Sequence, residues 1–438
     1  MAGLRDTWRR VWTDHRWPLL GVVTAAIAAL GVLAYLELRR PGDVSNPDAD
    51  FSAAEREDTT KLANWPLYGL DPERTRYLPA AKVKPPYKIK WRYDARGLVE
   101  YSPIVVEKHL YGISNGGWAF DLRRQDGKQV WRRRVAELNA SAPAYRDGRL
   151  YVSNLEPGQV LALDARNGKT LWRHRLPDRT ESSPVVVGDL VLTGCECGAL
   201  YALNRRNGHT VWEADVGGAI KGGPAVEGGI AYVGAYGGTV AAVRLASGEI
   251  KWSSNSQSQG LGQTGNFYAT PTVAFDRVYV GNTDGRMYSF EKEDGDLAWS
   301  HSTGDYIYAA AVAADSDNTE PTVYVGSYDG SFYAFDARSG EVRWSRPVGG
   351  AVSGAASLIS HVVYVANLAK TVTVGLNIKN GKRVFIFRDG AYNPVVSDGR
   401  KLFVTGKTQI YAMKHTNKPE KRAGVFGRIL HHPGKSKK

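Results

Sequence analysis

Residues 198–212 form a unit that returns in recognisable form about every forty residues along most of the chain. In every copy a glycine lies four residues before an aromatic residue. The pairs are Gly127 and Trp131, Gly168 and Trp172, Gly208 and Trp212, Gly248 and Trp252, Gly295 and Trp299, Gly340 and Trp344, and Gly381 and Phe385. A constant spacing indicates one structural unit that is repeated.

Each unit has the pattern of four short strands. Residues 200–203 and 209–212 are apolar runs on either side of a polar turn that ends in glycine. Upstream, residues 183–187 and 190–192 read as a hairpin with a tight turn at Gly188. Four strands in a period of about 40 to 45 residues are typical of a propeller blade. A β-sandwich with coincidental tryptophans would not keep the register constant.

The two ends of the repeat region predict how the ring closes. The last unit has strands at 395–396, 401–404 and 410–413 but no tryptophan strand, and residues 87–91 form a lone strand ahead of the first full unit. Pairing the two would remove two open sheet edges. With Trp91 the repeated aromatic residues number eight. The sequence therefore predicts an all-β fold, an eight-bladed β-propeller of four-stranded blades over residues 64–413.

The N-terminal region predicts a membrane anchor. Residues 1–17 are basic. The predicted transmembrane helix, residues 18–38, contains an uncharged apolar run at 19–36 of about the length that crosses a bilayer, with Trp17 and Tyr35 near its ends. The excess of arginine before this segment predicts a cytoplasmic N-terminus and a propeller outside the cell membrane. A cleaved signal peptide, with its cleavage site near 32–34, is the alternative interpretation.

Two charged segments flank the predicted ring. Residues 39–63 are polar and acidic, which predicts a flexible stalk. Residues 414–438 carry eight lysines and arginines against Glu420 alone, which gives +7 of the formal net charge of +13 and predicts a disordered basic tail. The tail is interpreted either as a ligand of anionic lipid or wall polymer or as a solvated terminus. Nucleic acid is not an expected partner of an exported domain.

The chain resembles the pyrroloquinoline-quinone (PQQ) repeat propellers. The resemblance rests on the opening at 64–77 and on blade endings of the form Ala-x-Asp-x-x-x-Gly-x-x-x-Trp at 162–172 and 334–344, and it covers about 64–413. That superfamily includes eight-bladed quinoprotein alcohol dehydrogenases and a non-enzymatic propeller lipoprotein of outer-membrane protein assembly. The resemblance implies the fold, whereas the repeated residues are structural in enzymes and scaffolds alike.

Blade geometry selects the candidate binding residues. The segment that enters each innermost strand and the loop between the second and third strands open on the same face, and the funnel of that face is the default ligand site. Carboxylates lie on one arc of this face and tyrosines on the other, although polar residues are also what a solvated loop would have. The predicted funnel-face residues are Glu100, Asn139, Glu181, Lys221, Tyr268, Tyr306, Tyr308 and Tyr392, with Tyr101, Tyr236 and Tyr328 beside them.

For a quinoprotein dehydrogenase the resemblance implies PQQ and a calcium ion held by Glu, Asn and carbonyl oxygens. Glu100, Asn139 and Glu181 offer such oxygens but match no family motif residue by residue. The dehydrogenases carry two adjacent cysteines, whereas Cys195 and Cys197 are separated by one residue, and the haem motif Cys-x-x-Cys-His is missing from the sequence. We therefore predict no catalytic, cofactor-binding or metal-ligating residue. PQQ and calcium are expected only if the protein is instead a quinoprotein dehydrogenase.

Cys195 and Cys197 are the only cysteines. The sequence leaves three interpretations open, namely a local disulfide bond, part of a metal site, or two free thiols. The histidines have no metal-ligand spacing.

These observations favour a binding or scaffold module over an enzyme. The predicted protein is a monomeric propeller anchored to the cytoplasmic membrane, and it recognises an envelope protein, peptide or polymer through its funnel face or a blade edge. The alternative is a PQQ- and calcium-dependent alcohol or sugar dehydrogenase. A sensor is a third, weaker interpretation, because residues 1–17 leave no room for an output module.

Overall fold

The computed structural model describes residues 16–38, 41–53, 64–257, 264–316, 319–392 and 395–417. The chain divides into two compact units, one of residues 1–42 with 257–265 and one of residues 43–256 with 266–438. The predicted cytoplasmic segment 1–17 and basic tail 414–438 lie mostly outside the described residues.

The first unit contains helix α1, Arg16–Leu38. The helix forms where the sequence predicts one, and its apolar side chains Val22, Ile27 and Leu30 are exposed. Within the described part of the chain, however, no helix has the length and apolar character needed to cross a membrane. The structure does not support the transmembrane span predicted at 18–38.

The second unit is an all-β propeller of eight sheets, each built on four antiparallel strands. Two short strands precede the blades, β1 (Val44–Ser45) and β2 (Tyr77–Leu78), and they are followed by β3 (Tyr87–Asp94). Blade 1 is β4 (Ile104–Val106), β5 (His109–Ile113), β6 (Trp118–Arg123) and β7 (Gln129–Arg134). Blade 2 is β8 (Ala144–Arg146), β9 (Arg149–Asn154), β10 (Gln159–Asp164) and β11 (Thr170–Arg175). Blade 3 is β12 (Val185–Val187), β13 (Leu190–Gly194), β14 (Ala199–Asn204) and β15 (Thr210–Asp215). Blade 4 is β16 (Ala225–Glu227), β17 (Ile230–Ala235), β18 (Thr239–Arg244) and β19 (Ile250–Asn255).

The second half of the ring repeats the arrangement. Blade 5 is β20 (Thr272–Ala274), β21 (Arg277–Gly281), β22 (Arg286–Glu291) and β23 (Leu297–Ser302). Blade 6 is β24 (Val312–Ser316), β25 (Thr319–Gly326), β26 (Ser331–Asp336) and β27 (Val342–Pro347). Blade 7 is β28 (Ser357–Ile359), β29 (Val362–Asn367), β30 (Val372–Asn377) and β31 (Arg383–Phe387). Blade 8 is β32 (Val396–Ser397), β33 (Leu402–Thr405), β34 (Gln409–His415) and β3.

Ring closure follows the prediction. Strand β3 pairs antiparallel with β34, and Trp91 lies opposite Ala412. The outer strand of blade 8 therefore comes from the N-terminal side of the ring and its inner strands from the C-terminal side.

The repeated tryptophans join neighbouring blades. Trp172 of blade 2 packs on Gly208 of blade 3, where a Cβ atom would lie 2.5 Å from the indole ring. Its Nε1 donates a hydrogen bond of 3.0 Å to the carbonyl oxygen of Arg205 in the same turn. Trp131 makes the equivalent bond, 2.9 Å long, to Ala165 of blade 2. The repeated spacing thus places one apolar contact and one hydrogen bond at successive blade interfaces.

Residues 64–82, here called the axis segment, lie against the innermost strands of the blades. The carbonyl oxygens of this segment accept hydrogen bonds from successive inner strands. The pairs are Tyr145 N with Pro66 O, Val226 N with Pro72 O, Val273 N with Glu73 O, Ala313 N with Thr75 O, and Leu358 N with Arg76 O. Strand β2 within the segment pairs parallel with β28 of blade 7.

Arg74 of the axis segment is fully buried and bonded to main-chain oxygens. Its guanidinium donates to the carbonyl oxygens of Ser183 at 3.0 Å and Pro224 at 2.9 Å, and also to those of Pro184 and Tyr68. Burial, followed by the charge of Arg76, lowers the pKa of Arg74 to about 9. The side chain joins blades 3 and 4 through hydrogen bonds that no local pattern predicts.

Residues 43–53, here called the edge segment, lie along the outer edge of blade 5. Strand β1 pairs antiparallel with β23, and Asn46 N donates to Ala298 O at 2.7 Å. Asp43 forms an ion pair with Arg286 at 3.0 Å, and its Oδ2 lies 3.3 Å from Nδ1 of His301. This differs from the flexible stalk that the sequence predicts over these residues, because strand pairing and an ion pair hold the polar chain against the blade.

Candidate functional site

A cavity of about 430 Å³ opens at the centre of the ring, on the side where the innermost strands begin. Tyrosines, two carboxylates, one ammonium group and small residues form its wall. The lining residues are Tyr68, Glu100, Tyr101, Glu181, Ser183, Lys221, Gly222, Gly223, Tyr236, Tyr268, Ala269, Thr270, Tyr308, Ala310, Tyr328, Ser353, Gly354, Ala355, Leu368 and Tyr392. Its volume lies in the range of small-ligand pockets.

Six of the eight predicted funnel-face residues line this cavity. They are Glu100, Glu181, Lys221, Tyr268, Tyr308 and Tyr392. Tyr306 is 48% exposed and lies with its ring centre 5.9 Å from that of Tyr308, outside the lining. Asn139 is buried and its Nδ2 donates to the carbonyl oxygen of Ser141 at 2.8 Å. The blade geometry predicted the face correctly but not the direction of individual side chains.

Tyr68 is a lining tyrosine that the sequence did not predict. It belongs to the axis segment, which brings it into the cavity beside Tyr101 with 5.7 Å between ring centres. No local pattern in residues 64–82 predicts this position, because it depends on how the axis segment packs against the blades.

Glu181, Lys221 and Tyr268 form a bonded network in the wall. Lys221 Nζ lies 2.7 Å from Glu181 Oε1, and Tyr268 donates its hydroxyl proton to Glu181 Oε2 at 2.6 Å. Lys221 Nζ also lies 3.2 Å from Glu196 Oε1. Burial by itself would lower the pKa of Lys221, but the two carboxylates outweigh it and the pKa is raised. The ammonium group therefore stays charged.

Tyr268 is a neutral hydrogen-bond donor. Burial raises the pKa of its phenol, and Tyr101 and Glu181 raise it further. It continues a wall of aromatic rings in which Tyr236 lies 6.5 Å from Tyr268, Tyr308 lies 5.2 Å from Tyr268, and Tyr328 lies 4.9 Å from Tyr308 between ring centres. The Tyr268 and Tyr308 rings meet edge to face, and the other two pairs are tilted.

Glu100, the other carboxylate of the wall, is bonded to an amide group. Its Oε2 accepts a hydrogen bond of 2.9 Å from Asn115 Nδ2, which also donates to the carbonyl oxygen of Asn139 at 3.1 Å. Burial raises the pKa of Glu100; the bond from Asn115 opposes this and the charge of Glu181 adds to it. Among the described side chains no lysine, arginine or histidine forms an ion pair with Glu100.

Cys195 and Cys197 form a disulfide bond. Of the three interpretations that the sequence left open, the structure contains the local bridge. Glu196 lies between the two half-cystines and forms ion pairs with Lys221 and with Arg179, the latter at 3.2 Å. The bridged loop therefore places a carboxylate behind the cavity wall.

The comparison with protein families agrees with the observed fold. Residues 88–219 and 196–423 match the family model described as outer membrane protein assembly factor BamB, and the two matches together cover more than half of the chain. The chain belongs to this family.

Similar structures include a BamB protein and a quinohemoprotein alcohol dehydrogenase. BamB from Moraxella catarrhalis has a TM-score of 0.63 at 18% identity, with 75% of this chain and 100% of that chain covered. The quinohemoprotein alcohol dehydrogenase ADHIIG from Pseudomonas putida HK5 has a TM-score of 0.70 at 14% identity, with 83% and 82% covered. At these identities the likeness establishes the fold alone.

One curated relative is an enzyme matched over a short stretch. The 1-butanol dehydrogenase (cytochrome c) of Thauera butanivorans is 29% identical over 129 residues, which are 25% of this chain and 18% of that protein. The match thus spans less than a fifth of the relative's length.

The predicted calcium ligands of the dehydrogenase alternative do not converge. Asn139 donates to the nearby carbonyl oxygen of Ser141 and does not line the cavity, while Glu181 is bonded to Lys221 and Tyr268. Within the described ranges no group of three or more His, Cys, Asp or Glu side chains has the geometry to hold a metal ion. A calcium ion needs six to eight oxygen ligands, and the residues present do not fit it.

Proposed function

We propose that this protein is a binding module that recognises a protein partner of the cell envelope through the cavity at the centre of the ring. The observation that supports it is the cavity wall, in which tyrosine rings surround a few fixed polar groups. Tyrosine offers a large apolar face and a hydrogen-bonding hydroxyl, and it is enriched at protein interfaces for that reason. Membership of a family described as an assembly factor supports the same function.

Photo-crosslinking tests this proposal. A photoreactive amino acid replaces Tyr306 at the exposed rim of the cavity, and in a control it replaces Val211, which is 52% exposed on the outer strand of blade 3. We expect the Tyr306 position to capture one defined partner and the Val211 position not to capture it. Capture should also fall when Lys221→Ala breaks the wall network. Equal capture at both positions would overturn the proposal.

A cofactor titration tests the enzyme alternative. The full chain is mixed with PQQ and calcium while thermal unfolding and dye reduction by alcohols and sugars are measured. A ligand at 100 times its dissociation constant stabilises a protein by about 2.7 kcal/mol. We expect neither a shift nor turnover, and a clear shift with turnover would replace the binding module by a dehydrogenase.

We further propose that the propeller lies outside the cytoplasm, attached to the cytoplasmic membrane through its N-terminal region. The bridge between Cys195 and Cys197 supports the location, because disulfide bonds persist in oxidising compartments. An alkaline phosphatase fused after residue 438 is active only outside the cytoplasm, so an inactive fusion would contradict the location. Release of the full chain by carbonate would contradict the attachment.

A further inference from the structure

The cavity contains a carboxylate that is not neutralised by a basic side chain. Glu100 lines the cavity and has Asn115 as its hydrogen-bond partner. Glu181, the other lining carboxylate, has the ammonium group of Lys221 at 2.7 Å. Within the described residues the lining side chains therefore carry two negative charges and one positive charge, and the uncompensated one lies at Glu100.

Another part of the same wall shows how this environment binds an ammonium group. Lys221 Nζ lies between the carboxylates of Glu181 and Glu196, and 5.8 Å from the ring centre of Tyr236. A cation near the face of an aromatic ring is attracted by the negative charge density of the ring, more strongly when water is excluded. Carboxylate and tyrosine together thus accommodate a cation within the same cavity.

The tyrosines suit a side chain that has a long apolar stem. Tyr68, Tyr101, Tyr308 and Tyr392 line the cavity together with Glu100 and offer ring faces to methylene groups. Lysine and arginine bury their stems along such surfaces while the charged end bonds elsewhere. A volume of about 430 Å³ accepts one such side chain with the backbone that carries it.

Two buried guanidinium groups lie next to the cavity without lining it. Arg74 is bonded to main-chain carbonyl oxygens, and Arg76 lies with its guanidinium carbon 5.0 Å from the ring centre of Tyr68. Arg76 Nη1 donates to Ala311 O and Thr272 Oγ1, both at 3.1 Å. Their repulsion opposes entry of a cation on their side of the cavity, so the favourable position is beside Glu100.

We propose that the cavity binds a lysine or arginine side chain of the protein partner, with the cationic group at Glu100 and the stem against the tyrosine rings. This inference rests on the proposed function. It names the chemistry that the partner must present, a basic residue on an exposed loop or extended segment.

Capped tripeptides test the chemistry directly. The full chain is titrated with acetyl-Gly-Lys-Gly-amide, with its norleucine analogue, which has a stem of similar length and no charge, and with its glutamate analogue. Saturation-transfer NMR reports contact and affinity. We expect the lysine peptide to bind at least tenfold more tightly than the norleucine peptide, and the glutamate peptide not to bind. Equal binding of the lysine and norleucine peptides would overturn the inference.

Variants at Glu100 locate the site. Glu100→Gln should lower the affinity for the lysine peptide about tenfold, and Glu100→Asp, which keeps the charge, should lower it less. Glu249→Gln is the matched control, because that side chain is 71% exposed in an outer turn. Unchanged affinity in Glu100→Gln, with the fold intact by circular dichroism, would show that the cation binds elsewhere. If Glu100→Gln fails to fold, Tyr308→Leu provides the second test, and full retention of lysine binding in that variant would contradict the site.

The inference and the proposed function fail separately. Partner capture at Tyr306 without selectivity for the lysine peptide would overturn only the basic-side-chain inference. Loss of capture at Tyr306 together with tight binding of PQQ would overturn both.

Discussion

Trp172 and Gly208 show how two residues join one blade to the next. The glycine has a φ of +76°, and the space that a Cβ atom would need is occupied by the indole ring. The indole N–H satisfies the Arg205 carbonyl of the same turn. Glycine is therefore required at this position for both its conformation and its size.

Gly208→Ala is predicted to destabilise the ring more than Gly148→Ala. Both glycines have a φ of +76°, but nothing lies within 4 Å of a Cβ atom at Gly148. The control therefore has only the left-handed strain of about 1 to 2 kcal/mol, while Gly208→Ala adds overpacking of about 1 to 3 kcal/mol. Urea unfolding of the full chain measures the difference. Equal losses in the two variants would show that the contact with Trp172 is unimportant for stability.

At the residue scale, part of the candidate site could be predicted from the sequence. Glu181, Lys221 and Tyr268 were expected on one face because each lies in the segment that enters an innermost strand, and they meet within hydrogen-bond distance. Asn139 occupies the equivalent place in its blade but turns towards Ser141. Strand position predicts the face on which a residue lies, whereas the rotamer depends on neighbours that the local sequence does not reveal.

At the scale of elements, the edge segment covers the outer strand of blade 5. Arg277 is fully buried and donates to the carbonyl oxygens of Ala49 at 2.7 Å and Asp50. In other blades the outer strands keep exposed apolar side chains, such as Val130, Leu171 and Val211. The segment thus protects an edge that would otherwise offer unpaired backbone groups.

Asn46→Pro is predicted to release the edge segment from blade 5. Proline lacks the N–H group that donates to Ala298 O. Release should speed hydrogen exchange at Ser302, whose amide donates to Asp43 Oδ1 at 2.9 Å. Asn46→Ala keeps the backbone donor and serves as the control, for which slow exchange should persist. Slow exchange in both variants would mean that the side-chain contacts hold the segment without this bond.

At the scale of the whole molecule, the ring closes because one N-terminal strand completes the C-terminal blade. Strand β3 and strand β34 are far apart in the chain but adjacent in blade 8. Lys88 and Lys414 are opposed in this pair, and both side chains are exposed. Stability of the ring therefore depends on holding the two ends of the repeat region together.

A disulfide cross-link between positions 88 and 414 is predicted to stabilise the ring more than one within a blade. In a Cys195→Ser/Cys197→Ser background, Lys88→Cys/Lys414→Cys closes almost the whole ring, while Thr239→Cys/Asn255→Cys joins opposed residues of one hairpin. Loop entropy gives about 6 kcal/mol for the first and about 3 kcal/mol for the second. Guanidinium unfolding with and without reductant measures both. A smaller gain for the ring cross-link would indicate that the two ends stay associated in the denatured chain.

The sequence by itself determined the blade, the count of eight and the closure of the ring, because the turn glycine, the aromatic residue and the strand pattern act over a few residues and are repeated. The axis segment and the edge segment were decided by the tertiary structure. Pro66, Thr75 and Asp43 carry no local strand or turn signal, and their partners in the blades lie far away in the chain. The cavity depends on the same long-range packing, since Tyr68 reaches Tyr101 only after the ring has closed around the axis segment.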